Sequence, residues 1–317
     1  MDVNMKRFLT EFLICPNCLP DEHQLISYDI ELDKDEILSG YLRCQYCDTR
    51  YPILEGIAFM QKHTNTKKPA SLLKYETDQL LASYLWSHYA DLFNDQNATE
   101  AYKIWAELIS PGEGMCLDAG CAVGRFTFEM SNKNQFTVGI DNSHAFIRKA
   151  RQFIYNSKID ISIPIEGLLL ESKTFSVPQT WNRDKVDFIV GDVLRIPFKK
   201  GLFSSMASLN LIDKVPLPIK HLTEMNRVAK DENAQFLISD PFSWSEDIAK
   251  REDWLGGTTT GIFSGHAKNN LLSLLGNENE IIRPSWSIET QGDLWWKIRN
   301  HKNHFEHIRS CFIKAKR

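Results

Sequence analysis

The run Asp118-Ala119-Gly120-Cys121-Ala122-Val123-Gly124 constrains this chain more than any other. The apolar stretch Met115–Ala119 before it reads as a strand, and a helix follows from about Arg125. A strand that passes into a helix through D-x-G-x-x-x-G needs glycine for two reasons. The backbone must turn sharply, and a ligand must approach without a Cβ in the way. The helix start then offers free N–H groups to a carboxylate. The same alternation continues downstream. Phe136–Asp141 reads as a strand, with a helix through Phe146 and Ile147. Segments 187–191, 204–210 and 234–239 are short apolar strands, with a helix over 218–229 between the last two. Alternation of this kind predicts an α/β fold, a parallel sheet with helices on both faces. The tail offers two more strands, 286–290 and roughly 307–314. Residues 155–185, with Pro164, Gly167 and Pro178, read as irregular. Residues 71–109 carry a helical pattern (Leu72, Leu73, Leu80, Leu81, Tyr84, Leu85, Tyr89, then Ile104, Trp105, Leu108) that Pro111-Gly112 ends.

In open α/β sheets, ligands bind beyond the carboxyl ends of the strands near the switch point. A glycine loop alone is weak, because nicotinamide sites use a related one. Here further pieces agree. The second strand ends in Val138-Gly139-Ile140-Asp141, and an acid there can accept hydrogen bonds from two ribose hydroxyls. Gly191-Asp192-Val193 ends the third strand, and Ser208-Leu209-Asn210-Leu211-Ile212-Asp213 the fourth. With these residues the sequence resembles class I S-adenosylmethionine-dependent methyltransferases. The resemblance implies a Rossmann-like fold with a mostly parallel seven-stranded sheet flanked by helices. It implies S-adenosyl-L-methionine as cofactor, held by Asp118, Gly120, Cys121, Gly124, Asp141, Asn142, Asp192, Val193 and Asn210. Asp192 would sit beside the adenine amino group, and the methyl would point toward Asn210. On the residues alone, a Rossmann-like domain that binds another ligand stays open.

A narrower resemblance rests on Tyr75-Glu76-Thr77-Asp78, on Tyr84-Leu85-Trp86-Ser87-His88-Tyr89, on Gly120 to Arg125 and on Gly139 to Ile147. Glu166-Gly167 and Arg183 in the insert, Leu209 to Asp213, and 240–257 with its Trp254-Leu255-Gly256-Gly257 add to it. Over roughly 75–290 the chain resembles the methyltransferase domain that completes ovothiol biosynthesis and its stand-alone relatives, the mercaptohistidine methyltransferases. The resemblance implies methylation of an imidazole nitrogen of a thiolated histidine by direct displacement. The chain departs from that pattern in three places. Phe242 stands where the family usually has Tyr. Gln291-Gly292-Asp293-Leu294-Trp295-Trp296 replaces the usual basic residues after Glu289-Thr290. The cysteine-rich front is additional.

Direct displacement asks the enzyme mainly to align nucleophile, methyl and sulfur, and a base helps if the nucleophile carries a proton. Asp213 and His88 are the candidate bases; the alternatives are a surface acid and a core or lid histidine. Tyr84, Tyr89, Trp244 and Trp254 are candidates for an aromatic wall around a cation or flat ring, or for plain core, and Phe242 is a further substrate-binding candidate. Gly256-Gly257 reads as either a lid hinge or a turn.

The front of the chain carries Cys15-Pro16-Asn17-Cys18 and Cys44-Gln45-Tyr46-Cys47, four of the seven cysteines. Each pair can form a turn that aims two thiolates at one ion, and two such turns give a closed tetrahedral four-sulfur zinc site. Residues 28–32 and 37–43 alternate like a hairpin. With Tyr51 to Ile57 they resemble a small zinc ribbon of the Trm112-like type. A structural Zn2+ ion on Cys15, Cys18, Cys44 and Cys47 would largely supply the ribbon's folding energy. Cysteines kept as small core residues, or a site for iron, are the alternatives. The predicted units are the ribbon over 1–62 and a methyltransferase domain over 70–317. The latter comprises a helical lid (71–109) and a core (112–317), and the polar 61–69 run joins the two units.

With 37 basic against 41 acidic side chains and a net charge of −4, nothing draws the chain globally to nucleic acid or an anionic membrane. No apolar run is long enough to span a bilayer, and Glu11 interrupts the short apolar start. A cytoplasmic location is expected, since clustered cysteines without a secretion signal suit a reducing compartment. The expected partners are a small-molecule substrate and a protein reached through the ribbon. RNA or protein as substrate, and a non-catalytic scaffold, are the competing readings. Lys199-Lys200 and the basic tail from Lys297 to Lys316 are the stretches that could touch nucleic acid.

Overall fold

The structure is a computed structural model of the chain, and it describes residues 4–61, 73–276 and 280–317. The 62–69 part of the predicted linker and the start of the predicted lid, with Leu72, lie outside the described residues. The N-terminal part is a five-stranded sheet of β1 (Met5–Lys6), β2 (Leu25–Asp33), β3 (Glu36–Cys44), β4 (Arg50–Leu54) and β5 (Ile57–Ala58). β2 and β3 form the expected hairpin, with Leu25 opposite Cys44 and Asp33 opposite Glu36.

The central sheet has seven strands. They are β6 (Met115–Ala119), β7 (Phe136–Asp141), β10 (Val186–Val190), β11 (Phe203–Leu209), β12 (Gln235–Asp240), β13 (Ser287–His301) and β14 (His304–Lys316). Their order is β10-β7-β6-β11-β12-β14-β13. The first five are mutually parallel, and β14 and β13 run antiparallel at the far edge. β6, β10 and nearly all of β7 and β11 are buried, as parallel strands covered on both faces must be. The order reverses between β6 and β11, which puts the ligand crevice at their carboxyl ends. The helices are α1 (Asp78–Tyr89), α2 (Ala101–Glu107), α3 (Arg125–Glu129), α4 (His144–Tyr155), α5 (Pro218–Val228) and α6 (Ala267–Leu275). Thr77 caps α1 and Ser143 caps α4 through their side-chain oxygens. No helix among the described residues is long and apolar enough to cross a membrane.

Three expectations are corrected. Residues 155–185 are not irregular: β8 (Lys158–Glu166) and β9 (Leu169–Ser176) form a hairpin. Gly167 turns it at a left-handed φ of 54°, and Ile159, Ile161 and Ile163 are buried along one face. The 71–109 pattern is two helices, because a 3-10 turn (Ala90–Phe93) and left-handed Asn94 interrupt it. The two short tail strands are one long hairpin, β13 with β14.

The N-terminal sheet is welded to the central one. Phe59 bridges Val190 in parallel, extending the sheet beyond β10, and the Met60 amide donates to the Val190 carbonyl (2.7 Å). Leu13 bridges Phe198 in the loop after β10. One apolar core runs from Met5, Leu13, Tyr51 and Met60 through Leu117, Ile189 and Phe198. Below it Arg151, fully buried, pairs with Asp187 and donates to the Asn4 carbonyl (2.6 Å). Asp187 also accepts the Lys6 amide (2.8 Å). Removing one partner of a buried pair leaves an uncompensated charge, so Arg151→Ala should destabilise the protein by about 3–5 kcal/mol in urea unfolding. A loss below about 1 kcal/mol, within the range of exposed pairs, would show that the pair does not clamp the two sheets.

Candidate active site

At the carboxyl ends of β6, β7, β10 and β11 lies a cavity of about 580 Å³. That is within the usual range for a small-molecule site. The glycine loop forms its floor. Gly120 has a φ of 74°, and a Cβ there would come within 2.8 Å of Leu211. Gly124 has a φ of 86°, and its Cβ would meet the Phe188 ring at 2.7 Å. Both positions therefore need glycine, one for the close approach of β11's loop and one for seating α3 against β10.

Asp141 Oδ2 accepts the Ala122 amide and Oδ1 the Ser143 amide, each at 2.9 Å. This ties the end of β7 to the glycine loop and leaves lone pairs for a ligand. Asp118 accepts the Thr127 hydroxyl (2.6 Å), and Asp192 turns its own loop by accepting the Leu194 amide (2.9 Å). Burial, against hydrogen bonds from Ser143 and Ala122, pushes the Asp141 carboxyl up to about 6. Burial pushes Asp118 up to about 7, with Thr127 opposing and Asp141 adding to the rise.

The site has a polar floor and an aromatic roof. Tyr75, Tyr84, His88, Tyr102, Phe126, Phe146 and Trp296 line it. His88 stacks on Tyr102 at 3.9 Å between centroids. Its ring is buried with neither nitrogen hydrogen-bonded, and burial, with Arg125 nearby, holds it well below its ordinary pKa.

The expected residues do not all meet. Asp118, Gly120, Cys121, Asp141, Asn142, Asp192, Val193, Asn210, Tyr84 and His88 line the cavity. Gly124, at the end of the loop, does not line the cavity. Tyr89 is corrected to core, since its hydroxyl donates to the Val123 carbonyl (2.5 Å) beneath the loop. Asp213 is corrected too: its carboxylate is buried outside the cavity lining, accepting the Ser243 amide (2.8 Å) and Lys214 (2.9 Å). With Asp240, which accepts the Phe242 and Asp213 amides, it braces the loop after β12. Phe242, Trp244 and Trp254 stack in series at 6.3 and 6.2 Å and do not line the cavity. Gly256 is bare because the Ala267 backbone packs where its Cβ would be.

The front sheet supplies the remaining wall. Pro16, Asn17, Tyr51, Met60 and Gln61 all line the cavity. Gln61 Nε2 donates to the Gly191 carbonyl (3.3 Å), and Arg195 donates to the Pro16 carbonyl (3.3 Å). Pro16 and Asn17 lie between two of the clustered cysteines. The four sulfurs lie within 4.8 Å of one another, with Cys15 to Cys47 at 3.5 Å and Cys18 to Cys44 at 3.8 Å. A tetrahedral zinc with sulfur at about 2.3 Å needs sulfurs about 3.8 Å apart, so the donor set fits that ion. Tyr51 (3.2 Å to Cys15), Thr49 (3.1 Å to Cys47) and Asn17 (3.7 Å to Cys47) contact the sulfurs, the outer shell such sites use.

No curated protein sequence matches the chain. Solved structures similar to it include an S-adenosylmethionine-dependent methyltransferase from Methanosarcina mazei, 18% identical with a TM-score of 0.42, covering 68% of this chain and 96% of that one. Another is a chain of the complex between the Haloferax volcanii Trm112 methyltransferase activator and a methyltransferase, 14% identical, TM-score 0.44, covering 80% and 100%. A third is phosphoethanolamine N-methyltransferase 2 of Haemonchus contortus with S-adenosyl-L-methionine, 16% identical, TM-score 0.40, covering 61% and 38%. Residues 117–235, which hold the glycine loop, Asp141, Asp192 and Asn210, match the methyltransferase domain family. Residues 117–235 thus belong to a methyltransferase domain, within a sheet that is Rossmann-like in its strand order.

Proposed function

We propose that the protein is an S-adenosylmethionine-dependent methyltransferase of a small, flat nitrogen compound, an imidazole or related amino-acid derivative such as a thiohistidine. The observation that carries this reading is the cavity itself, acid-floored, aromatic-roofed and sized for small molecules. Asp141 would accept the ribose hydroxyls, Asp192 and Val193 with Asn142 would flank the adenine, and Asp118, Gly120 and Cys121 would face the amino-acid portion. When bound, the cofactor supplies a methyl on a positively charged sulfur, which the acceptor nitrogen takes as sulfur leaves with the electron pair.

The chain's own residues align and enclose. Tyr84, Tyr102 and His88 line the space that would take a flat ring, and burial holds His88 well below its ordinary pKa. Its low pKa makes it a weak base, so alignment carries most of the work. The N-terminal unit, a Trm112-like ribbon around a structural zinc on Cys15, Cys18, Cys44 and Cys47, closes the adenine end. Methyl transfer from labelled cofactor to histidine, thiohistidines, other imidazoles and total tRNA is the test. Transfer to an imidazole supports the reading. Transfer to tRNA alone replaces it with an RNA-modifying one.

The acids of the floor set a pH dependence. The ribose hydroxyls bind the ionised carboxylate, so the Asp141 contribution to S-adenosylhomocysteine affinity should be full above about pH 7. It should fall as pH drops through about 6, the Asp141 value, by up to about tenfold per unit. The free protein responds in the opposite sense. Both carboxyls bind protons more tightly folded than unfolded, so their contribution to stability is full below the ordinary carboxylate range. It is lost as pH rises through about 6 for Asp141 and 7 for Asp118. Calorimetric titration from pH 5 to 8 reads the first effect, and pH-independent affinity would remove Asp141 from the ribose.

A further inference from the structure

His221, Glu224 and Arg227 recur at every third position of α5 and so share one face of that helix. All of them reach the loop that follows β10. Glu224 Oε2 accepts the Ile196 amide (2.9 Å). Arg227 donates from Nη2 to the Ile196 carbonyl (2.7 Å) and from Nη1 to the Phe198 carbonyl (2.8 Å). His221 Nδ1 lies 3.3 Å from the Val193 carbonyl oxygen, and its Nε2 lies 2.8 Å from Ser208 Oγ on β11. Of the loop residues held in this way, Val193 is the one that lines the cavity.

His221 and Ser208 are both fully buried. Two polar groups in the interior cost free energy unless their hydrogen bonds are met, and here the bonding has one direction. A carbonyl oxygen only accepts, so Nδ1 carries the proton and donates to Val193. In a neutral ring, Nε2 is then left to accept the Ser208 hydroxyl. Burial, with the Val193 carbonyl opposing, pushes the ring's pKa down to about 4, which keeps that form in place near neutral pH. The loop is tightened around the anchored carbonyl. Asp192 accepts the Leu194 amide on its side chain (2.9 Å) and the Arg195 amide on its carbonyl (3.0 Å). Asp192 and Leu194, on either side of Val193, line the cavity with it.

Resting on the methyltransferase reading above, we propose that His221 is a positioning residue for the cofactor's adenine, with Ser208 setting the tautomer in which it works. Its Nδ1–H fixes the Val193 carbonyl, and with it the direction in which Asp192 meets the amino edge of the base. The loop after β10 and the strand β11 are thereby held together from behind the cavity, by a ring that lies outside the cavity lining. Loss of this contact should show in how strictly the base is read.

The probes are S-adenosylhomocysteine and S-inosylhomocysteine, which carries an oxygen in place of the amino group on the base. Both are titrated by calorimetry into the full-length protein. The unmodified protein should favour the adenosyl compound by at least about tenfold, the scale of a hydrogen bond to a charged group. His221→Phe should cut that preference by about threefold or more, the scale of one neutral hydrogen bond. Ser208→Ala, the milder change, should cut it by about twofold or more. His221→Asn, whose amide nitrogen replaces Nδ1 as donor, should retain the preference within about twofold. A merely structural histidine would lower the melting temperature and both affinities alike while the ratio stayed unmoved, and that result overturns the proposal. A preference that falls as far in His221→Asn as in His221→Phe overturns it too, because ring volume would then hold the loop. Equal affinity of the unmodified protein for the two probes has the same force, since the amino edge is then not read. Should His221→Phe not fold, an unmoved ratio in Ser208→Ala overturns the proposal in its place. Failure of the unmodified protein to bind either probe would sink the methyltransferase reading itself.

Discussion

Asp141→Ala is expected to weaken S-adenosylhomocysteine binding by at least about 100-fold, since two charge-assisted hydrogen bonds of about 1.5–3 kcal/mol each are lost. The side chain has two jobs. It would take the ribose hydroxyls, and it already holds the Ala122 and Ser143 amides, so its removal also slackens the glycine loop. The fold should survive, because burial holds this carboxyl above its ordinary pKa and its loss removes a strained charge from the interior. The melting temperature should therefore move by only a few degrees while affinity collapses. Calorimetric titration beside a thermal melt separates the two. Unchanged affinity would take Asp141 out of the site, and a collapsed melt would make it structural.

Stripping metal from the front sheet should have an effect of similar size at a distance. Structural zinc in small modules contributes about 10–16 kcal/mol of folding free energy. Here the knuckle residues Pro16 and Asn17, together with Tyr51, form cavity wall. Treatment with a strong chelator, or Cys44→Ser, should lower the melting temperature by more than about 10 °C, because each kcal/mol moves it by a few degrees. S-adenosylhomocysteine affinity should fall by at least about tenfold, as the groups around the adenine end lose their support. Re-added zinc should restore both in the chelated sample. An apoprotein that binds S-adenosylhomocysteine as tightly as the metal-loaded one would reduce the cysteine cluster to a distant staple.

The parallel core was legible because its strands are short, continuous apolar runs, and because acids at their ends sit where the crevice must open. Asp118, Asp141 and Asp192 were found that way. The front sheet's cysteines were legible from spacing alone. The cavity's aromatic roof was only half legible. Tyr84 and His88 came from a helix whose pattern could equally be core, and Tyr89, one residue beyond His88, does face the core. Trp244 and Trp254 looked equally suitable but stack on Phe242 and on each other. Asp213 has the right position along the chain, but its Oδ2 is taken by Ser243 and Lys214 and its Oδ1 is buried outside the cavity lining. Tyr102, Trp296, Tyr51 and Gln61 were missed because they reach the cavity from segments with no motif of their own. A hint existed for Trp296, which falls where the chain departs from its nearest pattern. The β8–β9 hairpin was obscured by Pro164 and Gly167, although the Ile159, Ile161, Ile163 alternation is a strand signal.

The bridge between Phe59 and Val190, with the apolar core that runs on beneath it, has a consequence for anyone who divides this protein. Leu13, Tyr51, Ile53 and Met60 are fully buried, and so are Ile189, Ile196 and Phe198, which share that core with them. Expressed as two pieces, each half would present a large raw hydrophobic face to water, and the catalytic half would also carry an uncovered strand edge at β10. Such fragments should precipitate singly and dissolve when made together, so their solubility on co-expression would reveal a severed molecule reassembling rather than two partners meeting.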